Sequence, residues 1–494
     1  MPAASPLPLS ARTLPLVDGH DATSVVGWRQ GRAITTAQFL DDVARVALSL
    51  PAGARHVLNT CADRYRFAVG FAAIASTDRI SLLPSTLTPD TIAQLKTFAP
   101  DAVELTDSEP GRLGLPAIRW PEASPPPARS ASVAARAPAP TEALHIPHIA
   151  ADALVAYVFT SGSTGLPVPH AKTWGALVEC VQAEAQILGL SDGRRHAVVG
   201  TVPPQHMYGF ETTVLQPLQN GLALAAAHPL FPADIVTALD DVPRPRVLVT
   251  TPFHLRSLLD AGVALPAVDL VVSATAPLSP GLARAAEDAL GAPLREIYGS
   301  TETGQTASRR SIDGPTWTLF PGVRLAQEDG RTFARGGHVR GTVPIDDVIE
   351  LVGDDRFVLH GRSADMVNIA GKRSSLGFLN HHLCAVPGVV DGAFFAPPDA
   401  AGDGVTRLAA AVVAPTLDQR ALLGALRARI DPAFLPRRIV FVDRLPRNAT
   451  GKLPSGALAA LFETGRPRGP DENGPPAVDR APRAGRHDAD EHDR

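Results

Sequence analysis

The run Ala153-Leu154-Val155-Ala156-Tyr157-Val158-Phe159 is short, apolar and β-prone, as expected of a strand buried inside a sheet. It opens directly into Thr160-Ser161-Gly162-Ser163-Thr164-Gly165-Leu166-Pro167. Glycine reaches backbone conformations closed to other residues, and small hydroxyls bond phosphate oxygens without filling the space around them. A phosphate-holding turn after a central strand is the reading these residues support. No Gly-Lys-Ser/Thr follows, so the turn is not of the Walker type and a kinase reading is disfavoured.

The flanking sequence places that turn in an alternating strand–helix chain. Thr35-Thr36 can cap a helix with apolar positions at Phe39, Val43, Val46, Ala47 and Leu50. His56–Asn59 reads as a strand and the stretch through Phe67, Phe71 and Ile74 as a helix; strand-like runs recur at Ala197–Thr201, Arg246–Thr250 and Leu270–Ser273. This alternation predicts an α/β fold, a large N-terminal domain of layered, mostly parallel sheets with helices. Near Gly361–Gly371 the texture changes. The runs Gly392–Phe395, Leu408–Val413 and Arg438–Val442, with a helix over 417–430, predict a small C-terminal α+β domain. The expected boundaries are 1–362 for the large domain and 363–465 for the small one. Residues 466–494, rich in Pro, Gly, Asp and Arg, are expected to form a disordered tail.

At 494 residues and 45% hydrophobic the chain can bury more than one core. A net charge of -4 gives no case for nucleic-acid binding or a polybasic membrane contact. Cys61, Cys180 and Cys384 are too few and too scattered for a disulfide framework or a zinc site. No apolar stretch has membrane-spanning length and no signal peptide is visible, so a cytoplasmic protein is the expectation. Lysine occurs only at Lys96, Lys172, Lys372 and Lys452, and three of these fall in or beside punctuated segments.

Those segments are Tyr298-Gly299-Ser300-Thr301-Glu302-Thr303-Gly304, Gly361-Arg362-Ser363-Ala364-Asp365 before Asn368-Ile369-Ala370-Gly371-Lys372-Arg373, and Leu445-Pro446-Arg447-Asn448-Ala449-Thr450-Gly451-Lys452-Leu453. Together with the first turn, in this order, they resemble the adenylate-forming superfamily of acyl-CoA synthetases, aryl-CoA ligases and nonribosomal-peptide adenylation domains. The resemblance implies an AMP-forming acid–thiol ligase that uses ATP and Mg²⁺. Such an enzyme converts a carboxylate to an acyl adenylate, then transfers the acyl group to the thiol of CoA or of a carrier-protein phosphopantetheine. It implies further that the small domain is mobile and rotates between the two steps.

Site roles follow from the resemblance residue by residue. Thr160, Ser161, Gly162, Ser163, Thr164 and Gly165 hold the β- and γ-phosphates; Tyr298 packs on adenine, Thr301 bonds the α-phosphate and Glu302 holds Mg²⁺. Asp347, fourteen positions before Gly361, is the expected ribose ligand, with Asp346 as its rival; Arg362 also meets the ribose. Lys452 bridges carboxylate and α-phosphate in the first step, and Gly371 lets the thiol arm pass. His206, Tyr208, Ser273, Ala274 and Gly299 border the acid. Because the carboxylate is already ionised, catalysis rests on positioning and on cations and donors aimed at the phosphates.

The chain departs from the pattern in two places. The Pro-Lys that usually ends the phosphate turn is Pro167-Val168-Pro169-His170-Ala171-Lys172, leaving Lys172 or His170 as a substitute. The acidic hinge is Ala364, with Asp365 adjacent. Alanine and threonine in Ser273-Ala274-Thr275-Ala276 narrow the acid site, which favours a small aryl or short-chain acid. The details most resemble AMP-ligases of aryl-polyene and xanthomonadin-type pathways, which pass hydroxyaryl acids to an acyl carrier protein. The alternatives are a fatty acyl-CoA synthetase of the same fold and a nucleotide-binding relative with weak or no adenylation activity.

Overall fold

A computed structural model describes residues 12–122, 144–161, 167–362, 365–369, 372–397, 407–447 and 453–464. Gly162, Ser163, Thr164, Gly165, Ala364, Gly371, Lys452 and the expected tail lie outside the described residues, and Ser161 and Arg362 are described as strand backbone.

Leu154–Ser161 forms a strand, as its composition requires. It lies second in a six-stranded sheet, between Pro167–Thr173 and Ile80–Leu83, followed by His56–Asn59, Val103–Thr106 and Ala117–Arg119. Only the Pro167–Thr173 pairing is antiparallel, so the chain doubles back from Leu154–Ser161 onto its next strand.

The second sheet has eleven strands. Its parallel run is Val25–Arg29, Ala223–Ala225, Ala197–Gly200, Arg246–Thr250, Leu270–Ser273 and Leu294–Ser300. Ala197–Gly200 and Leu270–Ser273 are buried at every position, which needs cover on both faces. Beyond Leu294–Ser300 the sheet turns antiparallel through Gly304–Arg309, Thr316–Leu319, Arg356–Arg362 and Asp347–Leu351. The expectation of mostly parallel sheets therefore holds for one half of this sheet. Short turns such as Thr301–Thr303 cannot span a parallel crossover, so the other half is antiparallel.

The helix Arg64–Ala75 is apolar and buried nearly all round because it packs against strands of both sheets. Its first residue, Arg64, is fully buried and donates to the carbonyls of Gly200 (2.9 Å), Val202 (2.8 Å) and Ala227 (2.5 Å), tying the two layers together. Thr36–Ser49 begins with a full capping box between Thr35 and Gln38.

After Arg362 a smaller unit follows. Asp391–Phe395 pairs antiparallel and Arg438–Phe441 parallel with Ala409–Val413. Alternate residues serve two cores: Phe394, Ala410 and Val412 pack with Leu379, Leu383, Leu422 and Leu426, while Ala393, Ala411 and Val413 pack with Leu458 and Phe462. The helix Leu376–Cys384 also touches Arg356–Arg362. There Ser375 Oγ donates to the His360 carbonyl, and a Cβ on Gly361 (φ +124°) would meet that hydroxyl oxygen at 2.6 Å. Only glycine permits this approach at the junction.

Candidate active site

The strand Leu294–Ser300 and the turn after it organise the site. Tyr298, near the strand's end, lies against Phe357 (5.4 Å between ring centres) and Trp317 (5.7 Å). Its hydroxyl donates to Asp347 Oδ2 at 2.5 Å, so residues 49 apart in sequence share one hydrogen bond. Asp347 in turn is the cross-strand partner of Arg362. Three residues with expected nucleoside roles thus stand together, because the antiparallel extension folds Asp347–Leu351 back beside Arg356–Arg362.

The turn itself is held from several directions. Ser300 and Thr303 exchange backbone-to-hydroxyl bonds at 3.2 Å. A Cβ on Gly299 would fall 2.3 Å from the Gly304 carbonyl, so that glycine is required by backbone contact alone. Lys172 Nζ donates to the carbonyl of Thr301 and lies 3.5 Å from that of Glu302. Lys172 is buried, and burial lowers its pKa against the attraction of Glu211. Its ammonium is committed to the turn from behind.

Glu302 extends from the turn and is partly exposed. Burial works against its charge, but bonds from its own backbone N–H and from Ser300, together with His170 and Lys172, hold its carboxyl below the usual range. His170 Nε2 lies 3.4 Å from Glu302 Oε1 and 2.9 Å from Thr160 Oγ1. The strand Pro167–Thr173 therefore meets the Glu302 turn through His170 and Lys172, and holds Thr160 of its paired strand beside it through His170.

At the other flank, His206 precedes the short helix Met207–Phe210, which continues through a π-turn at Glu211–Leu215. Such turns occur often at functional sites. The hydroxyl of Tyr208 donates to the carbonyls of Val272 (3.0 Å) and Thr250 (3.2 Å), fixing the helix against the ends of two parallel strands. Ser273 ends the strand Leu270–Ser273, Ala274 is buried, and Thr275 adopts φ +78°. A β-branched residue in that region is strained by roughly 1–3 kcal/mol.

One group was invisible to motif reading. Gln305 Nε2 donates to Thr212 Oγ1, whose hydroxyl donates to Glu184 Oε1, both at 2.8 Å, and Cys180 Sγ donates to Glu211 Oε1 at 3.3 Å. All are buried. Burial raises Glu184 and pushes Glu211 up to about 7, with Lys172 pulling the latter back. The network stands behind Gly304, where a Cβ would meet Glu211 and Cys180. Nothing in the sequence around Glu184 or Glu211 marks them as buried; Glu184 shares its helix with a second carboxylate, Glu179.

Residues 17–329 match the AMP-binding enzyme family, and residues 381–452 match the AMP-binding enzyme C-terminal domain. The chain is 32% identical to a 4-coumarate–CoA ligase of Rhodobacter capsulatus over 297 residues, covering 59% of this chain and 73% of the relative. It is 25% identical to a 3-hydroxybenzoate–CoA/4-hydroxybenzoate–CoA ligase of Thauera aromatica over 362 residues, covering 64% and 68%. Among solved structures, the fold matches an anthranilate CoA ligase in complex with anthranoyl-AMP, with TM-score 0.72, 17% identity and coverage of 92% and 99%. ATP-bound MatB from Rhodopseudomonas palustris matches with TM-score 0.71, 19% identity and coverage of 90% and 97%. The chain belongs to the family of AMP-binding enzymes and is an adenylate-forming ligase.

Proposed function

We propose that this ligase activates a small aryl carboxylic acid with ATP and Mg²⁺ and passes the acyl group to the thiol of CoA. The observation that carries the reading is the Tyr298–Asp347 hydrogen bond at the end of the strand whose next turn bears Glu302. One short segment thereby joins an aromatic ring and its hydrogen-bonded Asp347 to the ionised carboxylate of Glu302, which faces His170. The aryl preference is supported by the names of the relatives, and Ala274 and Thr275 are assigned to border the acid.

In the first step a carboxylate oxygen bonds to the α-phosphorus and the bond to the β-phosphate oxygen breaks, releasing pyrophosphate. Tyr298 offers its ring to adenine while its hydroxyl orients Asp347 toward the ribose hydroxyls. Thr160 and the hydroxyls and backbone of residues 161–165 cradle the leaving phosphates, Thr301 bonds the α-phosphate, and Lys452 bridges both reacting anions. Glu302 suits a magnesium ion, being ionised, partly exposed and an oxygen ligand. No group of three or more metal-binding side chains stands together among the described residues, so Glu302 would share the ion with the nucleotide's own oxygens. When bound, Mg²⁺ supplies charge neutralisation on the phosphates. In the second step the thiol sulfur bonds to the acyl carbon, the acyl–phosphate bond breaks and AMP leaves. Residues 1–362 are assigned to nucleotide and acid, and residues 363–465 to a lid that brings first Lys452, then Gly371, to the site. No helix among the described residues is long and apolar enough to cross a membrane.

Acid-dependent ATP–pyrophosphate exchange over a panel of hydroxycinnamic, hydroxybenzoic, short-chain and long-chain fatty acids tests the reading. Exchange with the aryl acids, followed by thioester formation with CoA, is expected. Exchange confined to long-chain acids, or none with any acid, refutes it, and transfer only to a carrier protein would replace CoA as acceptor.

A further inference from the structure

The strand Pro167–Thr173 presents Val168, His170 and Lys172 on one face, since alternate residues of a strand share a side. Val168 is exposed, His170 half-buried and Lys172 buried, so the face descends from solvent into the core. Val168 pairs with Thr160, the last residue before the hydroxyl–glycine run whose side chain is described. Lys172 lies two residues beyond His170 and four beyond Val168, roughly 13 Å from Val168 along the strand, with its ammonium on the Thr301 and Glu302 carbonyls. Of the two polar residues on this face, His170 rather than Lys172 reaches the side chain of Thr160.

We propose that His170 is a positioning residue for the phosphate end of the nucleotide, its Nε2–H donated to the Thr160 hydroxyl beside the Glu302 carboxylate so that the hydroxyl's own proton faces the ligand. The inference rests on the nucleotide site proposed above. The chemistry selects the tautomer. An unprotonated Nε2 would set a lone pair against the Glu302 carboxylate at 3.4 Å, whereas a proton on Nε2 is attracted to it. With that proton donated to Thr160 Oγ1 at 2.9 Å, the hydroxyl keeps its own proton for an outward acceptor. An anionic phosphate oxygen is the acceptor of that kind which the proposed reaction brings. Burial holds the ring toward its neutral form, with Lys172 adding to this and Glu302 opposing it. The residue acts by direction: its donor sets where the Thr160 hydroxyl points. This gives a pattern of recognition: the β- and γ-phosphates feel His170, and a nucleotide lacking them does not.

The test compares ATP and AMP affinity by calorimetry, with Mg²⁺, for the wild-type enzyme, His170→Leu and His170→Gln, alongside melting temperatures. His170→Leu is expected to weaken ATP on the order of tenfold, the loss of one hydrogen-bonded orientation, and to change AMP less than about twofold by the same reckoning. His170→Gln, whose amide N–H can reach the Nε2 position, restores most of the preference for ATP. In a Thr160→Val background, His170→Leu has little further effect, because the two act through one hydroxyl. Equal weakening of ATP and AMP, an unchanged ratio, or fully multiplicative effects with Thr160→Val overturn the proposal. If His170→Leu does not fold, His170→Asn replaces it: the shorter amide must lose the preference that Gln keeps, and equal behaviour overturns the proposal. Failure of the wild type to support exchange with any acid would remove the proposed reaction but leave this binding comparison readable.

Discussion

Replacing Lys172 by methionine should destabilise the protein by an amount that grows with pH, and the magnitude follows from two buried partners. The Thr301 carbonyl loses its donor, and a buried acceptor left unpaired costs about 1–3 kcal/mol at any pH. The second partner is Glu211, which burial pushes up to about 7 against the pull of Lys172. A carboxyl whose folded pKa is raised binds its proton more tightly when folded, so it lowers stability as pH rises from the ordinary carboxylate range toward 7. Without Lys172 that pKa rises further and the loss continues above 7. At pH 6 Glu211 is mostly protonated in wild type and variant alike, and the carbonyl cost stands alone. At pH 8 the wild type has recovered up to about 1.4 kcal/mol by ionising, one unit above its pKa, which the variant cannot do. Melting temperatures of wild type, Lys172→Met and Lys172→Met/Glu211→Gln at pH 6 and 8 measure this. The single variant's deficit should widen between the two pH values and the double variant's should not. A deficit equal at both, or one untouched by Glu211→Gln, would refute the coupling.

Tyr298→Phe removes the hydroxyl donated to Asp347 while keeping the ring, so ATP and AMP affinity should fall together by about tenfold, with little change in melting temperature; hydrogen bonds to charged groups contribute about 1.5–3 kcal/mol. Calorimetry with both nucleotides checks this, and an unchanged AMP affinity would detach Asp347 from the ribose. Gly299→Ala forces a methyl to 2.3 Å from the Gly304 carbonyl and should abolish exchange by moving the Glu302 turn; retained activity would show that the turn tolerates displacement. Lys452→Ala should lower the exchange rate about 100-fold or more, while thioester formation from a supplied acyl adenylate is kept; this tests the separation of the two steps.

Much of the fold was legible because periodicity reports burial directly. Ala153–Phe159, Arg246–Thr250 and Leu270–Ser273 were read as strands from their apolar runs; each falls on a strand, the last buried at every position and Arg246–Thr250 at all but its first. Thr35-Thr36 marked a helix start, and the structure completes it as a capping box between Thr35 and Gln38. Strand direction was less legible: the antiparallel half from Gly304 to Arg362 depends on which strand each segment meets, and composition does not encode the partner. In the site, Tyr298 and Asp347 were named through resemblance; no local rule links positions 49 apart, and a hydrogen bond joins them. Lys172 was conspicuous through the scarcity of lysine, yet rarity does not tell whether an ammonium faces a phosphate or a backbone carbonyl. Its depth on the strand decides that. Glu184 and Glu211 carry no local signal in the sequence, and both are buried in the fold, Glu211 beneath the Gly304 turn.

The most direct measurement follows oxygen. A 4-hydroxycinnamic acid labelled with ¹⁸O in its carboxylate, incubated with ATP, Mg²⁺, CoA and the enzyme, transfers one labelled oxygen to the α-phosphate when the acyl adenylate is cleaved by the thiol. Label recovered in AMP, with none in phosphate or pyrophosphate, is the predicted result. Label in inorganic phosphate, or thioester formed with unlabelled AMP, would contradict attack at the α-phosphorus beside Thr301.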